Sequence, residues 1–135
     1  MIKTRNNQGI TEIFDIVRKS WLQLTEEEKV RQYFIHFLIE KKSVPFSHIA
    51  VEKEIKVNGL SKRYDIVVFD LEGKPEIVIE CKAPHIQLSQ EVIEQVSRYN
   101  KTLKAPIIGI TNGKDALFFK IDFETEQIFF IDDWR

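Results

Sequence analysis

A single cysteine, Cys81, in 135 residues rules out an internal disulfide and suits a reducing compartment such as the cytoplasm. One Cys and three scattered His residues (His36, His48 and His85) offer no thiolate zinc site, because none stands at ligand spacing. A glycine-rich phosphate loop is missing too, so the chain carries no nucleotide-driven motor of its own. No apolar run approaches the roughly 20 residues that span a bilayer. The polar start MIKTRNNQG is not a signal peptide, and no membrane partner is expected. Repeats, low-complexity tracts and linkers are absent, which points to one domain over residues 1–135.

What is present is an ordinary globular balance, 43% hydrophobic and 30% charged, with a net charge of −1 that argues against a non-specific nucleic-acid binder. The charges are unevenly spread. From Lys41 to Arg63 six basic residues meet two acids, a local +4, and from Asp115 onward six acids meet two bases, a local −4. Such an asymmetric field can present phosphates to one face, although two solvated surfaces explain it equally well.

Residues 1–9 are polar and are expected to be disordered. Ile13, Phe14, Val17 and Trp21 stand at helical spacing and predict a helix over 10–21. Thr25 and Glu28 form a capping box ahead of a second helix that runs to about Lys42, with Val30, Phe34, Phe37 and Leu38 along its stripe. Strand patterns follow at Ile49–Val57, Arg63–Asp70 and Glu76–Lys82, the first two joined by an Asn58-Gly59 hairpin signal. Ser89–Leu103 is a strongly amphipathic helix, and Pro106–Thr111 is a short apolar strand of the buried type. Ala116–Asp122 and Gln127–Ile131 complete the chain as alternating strands. The expected architecture is α/β (α+β): a mixed central sheet with a three-strand meander, a crossover helix and flanking N-terminal helices.

One stretch concentrates the chemistry, RYDIVVFDLEGKPEIVIECKAP at 63–84. Folded as a hairpin centred between Glu72 and Gly73, it sets Asp65 opposite Glu80, with Lys82 two residues on. Two carboxylates and an amine at the end of an apolar hairpin must be paired or hold a metal. They suit a hard divalent cation such as Mg²⁺ or Mn²⁺, which keeps several waters and takes one or two carboxylates. A surface Glu80–Lys82 ion pair beside a strand-capping Asp65 is the plain alternative. Carboxylates more than about 7 Å apart would exclude a shared ion. On the helix after the hairpin, Gln95 falls inside or beside the apolar stripe, with Tyr99 its i+4 neighbour, and both are expected to point at the sheet. Taken singly, Gln95 bonding a nearby backbone group and Tyr99 serving as core explain those residues better. The Phe118-Phe119 and Phe129-Phe130 pairs read as core rather than as base-stacking platforms. The DFETE and DDW acids read as solvated termini.

Asp65, Glu80-Cys81-Lys82 and Gln95-Val96-Ser97-Arg98-Tyr99 together resemble the PD-(D/E)xK nuclease superfamily, with Tyr64 where the motif's name has Pro. VEKEIKVNGLSKRYDIVVFD, VIECKAP, QVSRYN and PIIGITNG resemble more closely the N-terminal nuclease domain of the R subunit of type I restriction enzymes. They are similar in particular to small stand-alone bacterial proteins of that kind. The resemblance covers nearly the whole chain and implies a restriction-endonuclease-like fold and a metal-dependent DNA endonuclease. It implies that Asp65 and Glu80 bind the catalytic metal, that Lys82 positions the attacking water, and that Gln95 and Tyr99 support DNA or the site. An acid on the first core helix often joins such sites; Glu27 is the candidate by helical direction, Glu28 the other choice, and capping and dipole roles explain both more simply. Alternation places Glu52 on the face away from Ile49, Val51 and Ile55. Expected partners are DNA, separate restriction or translocase proteins, and a second copy of the chain. A catalytically silent DNA-binding or assembly module of the same fold is the alternative, with RNA or a nucleotide as a further substrate class.

Overall fold

The fold is taken from a computed structural model that describes the backbone of residues 1–135 and every side chain except those of Ile55 and Val57. Strands β1 (Thr4–Asn7), β2 (Ile10–Asp15) and β3 (Ser20–Gln23) form a small antiparallel sheet ahead of helix α1 (Glu26–Lys41). A six-stranded sheet then runs in sequence order. Its strands are β4 (Ile49–Val57), β5 (Leu60–Phe69), β6 (Pro75–Cys81), β7 (Ile107–Thr111), β8 (Ala116–Asp122) and β9 (Gln127–Ile131). Helix α2 (Gln90–Leu103) links β6 to β7, which pair in parallel, while all other neighbours are antiparallel. The mixed sheet, meander and crossover are therefore as the pattern implied.

The N-terminal 23 residues are not. The stretch 10–21 is two strands and a turn rather than a helix, and Thr4–Asn7 is paired with Ile10–Ile13 rather than disordered. Gln8 and Gly9, at φ 53° and 87°, make the tight turn between β1 and β2, as a two-residue hairpin needs positive φ at both positions. Strand alternation then buries Ile13 and Asp15 fully and leaves Phe14 and Trp21 as cross-strand partners, their rings 5.2 Å apart. Phe14 and Trp21, which share a helical stripe in sequence, are thus brought together by a sheet.

The six-stranded sheet separates two apolar layers. Val30, Phe34, Ile35 and Leu38 of α1 pack on Ile66, Val68, Ile77 and Ile79. Ile93 and Val96 of α2 pack on Val67, Val78, Ile108 and Ile110. Trp134 is buried in the α1 layer, while Asp132 and Asp133 beside it stay exposed, Asp133 within 2.7 Å of Lys42 Nζ. Phe118 is core, whereas Phe129 and Phe130 lie about half exposed on the edge strand β9, against the expectation that both pairs are core.

Candidate active site

The β5–β6 register pairs Ile66 with Ile79 and Val67 with Val78, the alignment that sets Asp65 and Glu80 across from one another. Asp65 is buried. Its Oδ2 accepts the Cys81 backbone N–H at 2.8 Å and its Oδ1 accepts from Arg31 Nη2 at 3.0 Å. Glu80 is close enough to feel the Asp65 charge, and Lys82 Nζ stands 4.0 Å from Glu80 Oε1. Burial, first, and the Asp65 charge, second, push the Glu80 carboxyl up to about 9. Glu27, half exposed, is raised by desolvation and by Asp65, against the pull of Arg31 and Lys82. The fold thus brings Asp65, Glu80, Lys82 and Glu27 into one electrostatic neighbourhood.

Glu28 points elsewhere. Its backbone N–H donates to the Thr25 hydroxyl, completing half of the capping box, but its buried carboxylate accepts from Arg31, Gln32 and Arg18 rather than returning to Thr25. Around it lies a network that the sequence did not announce. Arg31 reaches Glu28, Glu52 and Asp65 at 2.9, 3.0 and 3.0 Å, and Arg18 reaches Glu52 at 3.2 Å as well as the fully buried Asp15. Arg31 was detectable. It occupies the helical stripe of Phe34, Ile35 and Leu38, where a guanidinium must meet carboxylates.

Glu52 joins this network because strand alternation fails at its position. Ala50 packs in the α2 layer and Val51 against the α1 layer, as alternation requires. Glu52 then adopts φ 53°, and Glu52–Asp65 is the one pair missing from the β4–β5 register. On β5, Tyr64 and Val67 both enter the α2 layer although three residues apart. The slip turns two facing acids toward one arginine. Left-handed backbone at a non-glycine residue costs roughly 1–2 kcal/mol, which the paired charges offset.

Gln95 and Tyr99 are joined to each other, Gln95 Nε2 donating to the Tyr99 hydroxyl at 3.3 Å. Lys62 lies over the Tyr99 ring, 4.5 Å from its centre, and with Gln95 lowers the pKa of its hydroxyl. Among the described residues neither side chain bonds Asp65, Glu80 or Lys82. The link runs through Tyr64, whose hydroxyl donates to the Tyr99 carbonyl one residue before Asp65. Cys81 between the site residues is buried and free, its thiol pushed well up by desolvation, so it is no nucleophile.

The donor set suits a hard cation. Each Asp65 oxygen retains a lone pair beyond its one hydrogen bond, and Glu80, raised to about 9 by burial and then by the Asp65 charge, is a carboxyl that a cation would ionise. Among the described residues no three His, Cys, Asp or Glu side chains converge at metal-ligand spacing, so two carboxylates would be completed by water.

The sequence model of one family, described as type I restriction enzyme R protein N terminus (HSDR_N), matches residues 26–134. The chain belongs to this family. The HSDR_N match starts at α1, so the β1–β3 sheet lies outside it, while all the site residues lie within it. Among solved structures the chain is similar to a candidate nuclease belonging to DUF820 from Anabaena variabilis. Identity is 12% and the TM-score 0.51, over 96% of this chain and 76% of that one. That likeness concerns the fold alone, which is restriction-endonuclease-like. No curated protein matches the chain. Among the described residues of this HSDR_N domain no helix is long and apolar enough to cross a membrane.

Proposed function

We propose that the chain is a metal-dependent DNA endonuclease domain whose centre is Asp65, Glu80 and Lys82. The observation that carries this reading is the convergence of two poorly solvated carboxyl groups and an amine. Glu80 is held near 9 by Asp65 and burial, with Lys82 4.0 Å away. A structural ion pair does not need a second, protonated carboxyl, whereas a hard cation uses one or two carboxylates. Asp65 and Glu80 would hold Mg²⁺ or Mn²⁺, with Glu27 near enough to bond its waters. A cation bound there supplies Lewis-acid stabilisation of charge on a phosphoryl oxygen. In the reaction the oxygen of water attacks phosphorus in line, the phosphorus–oxygen bond to the sugar breaks, and the proton released by water ends on the leaving oxygen or in solvent. Lys82 orients that water or steadies the departing oxygen. Arg31 fixes the Asp65 rotamer, and Cys81 N–H fixes its second oxygen.

A second reading has an observation of its own. The Arg31–Asp65 pair at 3.0 Å satisfies Asp65 without a metal, as a silent DNA-binding or assembly module of the same fold would require. The two separate in a nicking assay on supercoiled plasmid and single-stranded DNA with Mg²⁺ or Mn²⁺, run beside calorimetric metal titration. The nuclease reading expects metal binding by the wild type and loss of nicking by at least tenfold in Asp65→Ala and Lys82→Ala. A wild type that binds no metal and cleaves no faster than the variants refutes it. Restriction or translocase subunits would be separate partners.

A further inference from the structure

Beyond Tyr64 the fifth strand loses its partner on one side. Ile66 is the last β5 residue paired with β6 in this direction, and Leu60–Tyr64 are laddered only to β4. The two-stranded arm so formed, turning at Asn58 and Gly59, extends past the end of the β5–β6 pairing, and the C-terminal half of α2 lies across from it. Between them runs an open groove of about 760 Å³ whose walls include Leu60 and Lys62 from the arm and Arg98, Tyr99, Lys101 and Thr102 from α2.

Three features set this groove apart from an ordinary surface cleft. Its lining holds three cations, Lys62, Arg98 and Lys101, and no acid. Among the described residues none of the three pairs with a carboxylate, and Lys62 instead lies over the Tyr99 ring, so the groove's positive charge is not neutralised by the chain's own acids. Lys101 alone would be accounted for as a complement to the α2 dipole, but Lys62 comes from the opposite wall. The groove is also tied to the site. Lys62 lies three residues before Asp65 on β5, about 10 Å at 3.3 Å per residue, and Tyr64 between them bonds the Tyr99 carbonyl. A short run of one nucleic-acid strand's backbone therefore spans from Lys62 to Asp65.

We propose that this groove is the track for a DNA backbone, with Lys62, Arg98 and Lys101 taking successive phosphates and the Tyr99 ring forming its floor. It delivers the strand to the Asp65–Glu80 end of β5 and β6 and reads no sequence, since its cations meet phosphates rather than base edges. The inference names the substrate path of the proposed nuclease and rests on that reading for its purpose, but its test does not.

Binding of a labelled 20-nucleotide duplex and single strand is measured by fluorescence anisotropy in EDTA across a salt series. The wild type is compared with the triple variant Lys62→Gln, Arg98→Gln, Lys101→Gln and with a control of equal charge change, Lys29→Gln, Lys114→Gln, Lys120→Gln. Polyglutamate serves as competitor, and a thermal melt checks folding. The single variant Lys62→Glu reports on the groove should the triple fail to fold. Three phosphate contacts predict a fall of roughly 2–3 in the slope of log affinity against log salt for the groove triple. They predict at least a tenfold loss of affinity at moderate salt, with the control near wild type and polyglutamate a poor competitor. Equal losses in both triples, no loss in the groove variants, or competition by polyglutamate as strong as by DNA would each overturn the proposal. If the groove variants lose binding while the wild type never nicks DNA, the nuclease reading fails and the track stands. If the wild type nicks DNA and the groove variants bind like it, the track fails and the nuclease reading stands.

Discussion

Replacing Arg31 with methionine keeps the apolar stem and removes the charge that three acids share at close range and Glu27 at 3.8 Å. The guanidinium contacts Glu28 at 2.9 Å, Glu52 at 3.0 Å and Asp65 at 3.0 Å, with its side chain 6% exposed. The cost is not three broken ion pairs. Arg18 stays beside Glu28 at 3.4 Å and beside Glu52 at 3.2 Å, so two of the three acids keep a partner. Asp65 does not: it retains only the Cys81 N–H and stands next to Glu80. One buried carboxylate stripped of its cation costs about 3–5 kcal/mol. With a urea slope of about 1–3 kcal/mol/M, the midpoint should fall by about 2 M. That is a large part of a stability of about 5–15 kcal/mol, so Arg31→Met is paired with Asp65→Asn, which leaves a folded protein to measure. The double variant removes the orphaned charge and should recover at least half of the loss. Millimolar Mg²⁺ should raise the midpoint of Arg31→Met more than that of the wild type, because a cation then replaces the guanidinium. A loss under 1 kcal/mol in Arg31→Met, or no recovery on adding Asp65→Asn, would refute the account of Arg31 as the counter-ion of Asp65.

Glu80 makes stability depend on pH. Its folded value, about 9, lies above the ordinary 4.5, so its contribution is full below about pH 4.5 and is lost as pH rises through 9, at up to about 1.4 kcal/mol per unit. In EDTA, Glu80→Gln should therefore gain on the wild type between pH 5 and 8.5 in urea unfolding, and parallel profiles would contradict the burial and Asp65 coupling assigned to it. Tyr64→Phe removes the hydroxyl donated to the Tyr99 carbonyl and should cost about 0.5–1.5 kcal/mol in a thermal or urea melt; an unchanged melt would mean that this bond does not brace the groove against β5.

Much of this architecture is written in local pattern. The Asn58-Gly59 signal, the continuous apolar run at Ile107–Thr111 and the amphipathic Gln90–Leu103 helix each appear where periodicity and turn chemistry place them. The hairpin alignment of Ile66 with Ile79 is likewise the one its turn implies, even though the strands slip between Val68 and Phe69. Residues 10–21 misled because Ile13, Phe14, Val17 and Trp21 satisfy helical spacing while Gln8 and Gly9 favour a hairpin, and the sheet that results buries Ile13 and Asp15. Short apolar patterns are ambiguous between the two periods, and tertiary burial decides.

Local pattern alone picks out the groups able to do chemistry: Asp65, Glu80 and Lys82 on adjacent strands, and Gln95 and Tyr99 one helical turn apart. Their separations are set by strand and helix repeats, which depend on neighbours along the chain. Only the tertiary structure decided what those groups meet. Arg31 reaches Asp65 across 34 residues, and Glu52 turns toward the same guanidinium through a left-handed backbone that breaks alternation. Lys62 crosses from the hairpin arm to cover the Tyr99 ring on α2. Charge pairing at such distances answers to Coulomb attraction and burial after the elements have packed, and no repeat along the chain encodes it.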